Sequence, residues 1–168
     1  ASDKWILSEL DNLKKECKKG YDDYNFFIPA IAIREFTWNI FAAHYIEMAK
    51  ARAYGLEFSD EERDGAIFTL HKTLSTILKL LAPITPFITE YLWKILYSNE
   101  SIHKQKQVES ENTEEQSDIT KEITEFNSKV WNEKKSQNLS LKDSIKIEIP
   151  ENLKPFIKDL KSMHNLLD

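Results

Sequence analysis

The chain has 168 residues, enough for one or two small domains with a sizeable core, and is 41% hydrophobic and 30% charged with a net charge of −5. Three glycines, with no G-x-x-x-x-G-K-[ST] and no G-x-G-x-x-G, exclude a P-loop enzyme and a complete dinucleotide-binding domain. A single cysteine, Cys17, excludes an internal disulfide and a thiolate zinc site, and no 18-residue apolar run exists to span a membrane.

The N-terminus, Ala1-Ser2-Asp3-Lys4-Trp5, lacks the apolar core of a signal peptide, so the expected location is cytoplasmic. The chain starts without methionine and stops just after Leu166-Leu167, and is read as a piece of a longer protein. Residues 99–118 carry six acids and two lysines, −4 of the total of −5. The remainder is near neutral, so its charge must be read locally.

Taken in order, residues 3–19 place Ile6, Leu10, Leu13 and Cys17 at helical spacing, with Gly20 as the stop. Residues 26–50 form a long helix with a strong stripe of Ile31, Trp38, Phe41, Ala42, Tyr45, Ile46 and Ala49. A weaker stripe of Ile33, Phe36 and Ile40 lies nearly opposite, which predicts a central position in a bundle. Ser59 or Asp60 caps a third helix carrying Ile67, Leu70, Leu74, Ile77, Leu78 and Leu81. Pro86 starts a fourth, with Phe87, Tyr91, Leu92, Ile95 and Leu96 as its apolar residues.

These elements predict a mainly α fold, an antiparallel helical bundle over 1–98. Residues 99–118 read as an acidic, flexible connector. A fifth helix over 119–138 follows, with Ile119, Ile123, Phe126 and Val130 on one stripe. Residues 139–168 read as the start of a small, truncated α+β piece. Leu139, Leu141, Ile145, Ile147 and Ile149 alternate as in a strand whose partner is expected beyond residue 168, and Pro155–Leu166 reads as a helix.

No catalytic constellation is present. His44, His71, His103 and His164 fall on four different elements without ligand spacing, and neither G-x-S-x-G nor H-E-x-x-H occurs. No catalytic and no metal residue is assigned. What remains is surface chemistry. Trp131 lies about 100° off the stripe of the fifth helix, on the side of Lys135. It either stacks on a base or is covered by the 139–149 segment. Arg34, beside Trp38 and Phe41, must find an internal acid or carbonyl, or an external anion. Lys50 and Arg52 end the same helix, where cations suit the dipole.

The ordered residues Asp3-Lys4-Trp5-Ile6-Leu7, Arg34-x-Phe36-Thr37-Trp38-Asn39-x-Phe41 and Tyr45-Ile46-Glu47-x-x-Lys50-x-Arg52 resemble the anticodon-binding helical domain of class I aminoacyl-tRNA synthetases. Leu80-Leu81-Ala82-Pro83-Ile84-Thr85-Pro86-Phe87-Ile88-Thr89-Glu90-x-Leu92-Trp93 and Ser101-Ile102-His103 continue the resemblance. Within that class the pattern is most similar to the valyl enzymes of the archaeal or eukaryotic kind, with the isoleucyl enzymes as the alternative. A helical protein-interaction module without RNA is the other.

Two departures stand out. Lys104-Gln105-Lys106-Gln107-Val108 replaces the family's Trp-Pro after Ser-Ile-His, and the fifth helix offers lysines where relatives often carry arginines. The resemblance implies binding of a tRNA anticodon stem-loop, and neither DNA nor a membrane is expected as a partner.

 The expected partners are therefore tRNA, specifically tRNA(Val), and the catalytic and editing domains of the same polypeptide. The family's ATP- and magnesium-dependent chemistry needs H-I-G-H and K-M-S-K-S signatures that these residues lack, so no cofactor is assigned to this segment. The expected tRNA contacts are Arg34, Asn39, Lys50 and Arg52 on one wall, and Lys129, Trp131, Lys134 and Lys135 on the other.

Overall fold

The structure, a computed structural model, describes residues 1–106, 108–111 and 117–167. The fold is a mainly α bundle. Helix α1 (Ser2–Asp22) buries Trp5, Ile6, Leu10, Leu13 and Cys17, as its spacing requires. It does not stop at Gly20. A Cβ there would lie 2.5 Å from Pro29 Cδ, so the glycine permits close approach of the next helix rather than ending its own.

That next rod is continuous but not uniform: α2 (Phe27–Glu35), a π-helical segment (Phe36–Tyr45) and α3 (Ile46–Ala53). The wider i→i+5 turn changes the angular step, so a stripe drawn at α-helical spacing cannot run through it. The buried line is Ile33, Phe36, Phe41, Tyr45, Met48 and Ala49. It takes its first half from the weaker predicted stripe and its second from the stronger one. Trp38, expected in the core, is 75% exposed.

Helix α4 (Asp60–Leu81) opens with a complete capping box: Ser59 Oγ accepts from the Glu62 amide at 3.2 Å, and the Ser59 amide donates to Glu62 at 3.0 Å. Its innermost line is Ala66, Thr69, Thr73, Ile77 and Leu80, and Ile67 faces outward. Small residues let α4 approach α1, α2 and α3 closely, which displaces the bulkier predicted stripe to the flanks.

Helix α5 (Pro86–Leu96) buries only Thr89 and Trp93. It packs on α4 and on a 3₁₀ turn (Ile102–Lys104), forming a satellite cluster of Leu78, Ala82, Trp93 and Ile102. Of its apolar residues, Leu92 packs against that cluster, while Phe87, Tyr91, Ile95 and Leu96 are exposed. Glu90 holds the 3₁₀ turn, accepting from Ser101 Oγ at 3.0 Å and the Ile102 amide at 2.8 Å.

The predicted connector lies partly outside the described residues, at 107 and 112–116. Within the described part, Ser110 Oγ and the Glu111 amide donate to Asp11 of α1 at 2.9 and 2.6 Å. Helix α6 (Ser117–Ser136) then buries Ile123, Phe126 and Val130 against the core. Trp5 Nε1 donates to Thr120 Oγ1 at 2.8 Å, pinning α6 to α1.

Beyond α6, a 3₁₀ turn (Glu151–Phe156) leads to α7 (Ile157–His164), which packs on α3. The expected strand reduces to one parallel bridge, Ile145 to Leu166. The partner in that bridge lies within the described residues. Ile145 buries while Ile147 and Ile149 pack at its edge, so the alternation reports one-sided packing without a ladder. No helix among the described residues is long and apolar enough to cross a membrane.

Candidate nucleic-acid interface

The π-helical segment and α6 meet through a buried polar bridge. Asn127 Nδ2 donates to His44 Nδ1 at 2.9 Å, and His164 Nε2 donates to Asn127 Oδ1 at 2.8 Å. Accepting at Nδ1 requires a neutral His44 imidazole, and the amide of Asn127 thereby orients both rings. Burial lowers the pKa of His44; burial, then the charges of Lys134 and His44, pushes His164 down to about 4. His44 stacks on Trp131 at 5.5 Å between ring centroids, and His164 meets the same indole edge-on at 5.9 Å.

Trp131 is thus backed by two rings and stays half-buried. Leu139 and Leu141 of the following segment line the groove beside it without burying it fully.

Lys134, expected to meet phosphate, is fully buried. Its ammonium donates to the carbonyls of Leu141 and His164 at 2.7 Å each. Burial lowers its pKa, with the Asp143 charge opposing that shift. It ties the ends of α6 and α7 together and has no face toward an external anion.

Arg52, also expected to meet tRNA, is buried as well. Nη1 and Nη2 donate to Asp3 at 2.8 and 2.7 Å, and Nε lies 2.8 Å from Asp159 Oδ1. Tyr45 donates to Asp3 at 2.6 Å, and Ser2 donates to Asp159. Burial pushes the Asp3 carboxyl up, but the bonds from Arg52 and Tyr45 outweigh it and hold it below its ordinary value. Asp159 ends above its ordinary value because its burial dominates. Arg52 clamps α1, α3 and α7.

The other expected contacts are at the surface. Arg34 pairs with Glu35 at 2.6 Å, which answers the question of its partner with a local acid, and Asn39 donates to the same carboxylate. Lys50 pairs with Glu47 at 2.5 Å. Lys129 and Lys135 are exposed. Lys135 and Trp131 share one groove of about 580 Å³ with Asn132, Asn138, Leu139 and Leu141.

Sequence reasoning missed His44, Asn127 and His164, and missed Asn132 and Asn138. Asn127 alone left a signal, a polar residue adjoining the apolar stripe of α6 between Phe126 and Val130. The histidines come from remote elements and left none.

Residues 3–149 match the family described as the anticodon-binding domain of tRNA ligase. The valine–tRNA ligase of Pyrobaculum aerophilum is 35% identical over 172 residues, covering 99% of this chain and 21% of that protein. That of Aeropyrum pernix is 33% identical, covering 96% of this chain and 21% of that protein. That of Archaeoglobus fulgidus is 38% identical, covering 86% and 17% respectively. The chain spans about a fifth of the length of these relatives. A match over most of the chain places it in the family of tRNA-ligase anticodon-binding domains.

Proposed function

We propose that this chain is the tRNA-anchoring part of a valine–tRNA ligase and engages the anticodon stem-loop of tRNA(Val). The observation that carries the amino acid is the likeness to valine–tRNA ligases over nearly the whole chain. ATP- and magnesium-dependent activation of valine and its transfer to tRNA belong to the remaining domains of the intact protein, which works in cytoplasmic translation.

The contacts are made by the exposed groups of the two walls: Arg34, Asn39 and Lys50, and Lys129, Trp131 and Lys135. Arg52 and Lys134 support those walls from inside. With a net charge of −5, long-range attraction is weak and local cations carry the binding. Each phosphate contact then contributes about 0.7–0.9 to the slope of log affinity against log salt.

The test is aminoacylation and salt-dependent tRNA binding by the intact protein. Valine charged onto tRNA(Val), with affinity falling as salt rises, supports the reading. Charging with isoleucine instead, or no tRNA binding at any salt concentration, overturns it.

A further inference from the structure

We propose that the groove beside Trp131 is a nucleobase pocket that receives one unstacked nucleotide of the bound tRNA. This rests on the tRNA reading above and names a site within it. The groove lies where α6 ends and the chain turns toward residue 141. Its volume of about 580 Å³ falls in the range of small-ligand sites.

The platform is built in advance. His44 covers one side of the Trp131 indole and His164 its edge, and Asn127 locks both imidazoles. A ring held in this way loses little freedom when a base stacks on it. The rim is equally fixed, because the buried Lys134 ammonium holds the Leu141 and His164 carbonyls. Leu141, 64% exposed, is thus an apolar edge anchored through its own backbone.

The polar groups around the platform suit a nucleotide. The Asn132 and Asn138 side-chain amides each offer a donor and an acceptor, which match the edge of a base. Asn138 sits at φ 54°, a left-handed position that asparagine tolerates. Lys135 supplies a cation for the adjoining phosphate, and no carboxylate lines the groove. Lys121 and Lys50, by contrast, each sit beside a carboxylate, Glu125 and Glu47. A flat aromatic face, two amides and an unopposed cation recognise a planar heteroaromatic ring on an anionic tether.

The experiment measures binding of a tRNA(Val) transcript to the intact protein across salt concentrations, with chemical footprinting of its unpaired bases. Asn132→Ala with Asn138→Gly, both at the surface and the glycine free to keep the left-handed backbone, should weaken binding several-fold, leave the salt slope unchanged and release protection of one base. Lys135→Gln should lower the slope by about 0.7–0.9. Trp131→Leu should weaken binding about 5- to 150-fold, and Trp131→Phe should retain most of it. If wild-type protein binds tRNA but the asparagine variants match it in affinity and footprint, the pocket is refuted while the tRNA reading stands. If those variants instead loosen this segment from the rest of the protein in limited proteolysis, the groove is a protein-docking face and the proposal fails. If wild-type protein binds no tRNA, both readings fall.

Discussion

The region around Arg52 and the region around Lys134 each hold a cation away from water, with different materials. Arg52 faces two carboxylates, Asp3 and Asp159, and a tyrosine hydroxyl shares the first. Lys134 touches two backbone carbonyls, and the rings behind it are neutral imidazoles joined by an amide. The first region balances charge with charge. The second satisfies a charge with dipoles. Removing the cation therefore leaves stranded anions in one place and merely unpaired carbonyls in the other.

The largest expected effect follows from that difference. Arg52→Met removes the counter-charge of two largely buried carboxylates and should cost about 3–5 kcal/mol in denaturant unfolding. A loss below about 1 kcal/mol would mean that the acids reach water easily.

The next is a pH effect confined to the second region. His164 is held at about 4 against an ordinary 6.5, so the unfolded chain binds the extra proton between those values. Stability is fully present above pH 6.5 and is lost as pH falls toward 4, by on the order of 3 kcal/mol. Thermal unfolding from pH 7.5 to 4.5 measures it, and His164→Gln should flatten the curve. Lys134→Met should flatten it in part, by removing a charge that pushes His164 down.

At neutral pH Lys134→Met should itself cost about 1–3 kcal/mol, for two carbonyls left without a donor. That is less than Arg52→Met. The reverse order would overturn the contrast between the regions. Smallest of all, Arg34→Ala should change stability by less than about 0.5 kcal/mol, because its ion pair with Glu35 is exposed. One arginine is structural and the other is surface equipment, although both flank the same rod.

The periodicity of α1 and α6, the cap at Ser59 and the corner at Pro86 were legible because local chemistry decides them. The fate of Arg52 was not. Its acids lie 49 positions upstream and 107 downstream, and only packing of α7 on α3 brings the second within reach. Lys134 was harder still, since its acceptors are main-chain carbonyls that any residue could supply. The π-helical segment defeated the stripe through Trp38 because the reading assumed a constant angular step. Trp131 was found by its position off the stripe of α6, but its backing by His44 joins elements remote in sequence.

Cys17, deep on α1, gives the molecule an internal chemical clock. Burial, with the Glu16 charge beside it, pushes its thiol up to about 12, and only a thiolate attacks an alkylating reagent. In the folded protein the sulfur is shielded from the reagent and protonated as well. Modification must wait until α1 lifts away from the core, so with fast closing the labelling rate counts the fraction of molecules open at any moment. No second cysteine in the chain confuses the count.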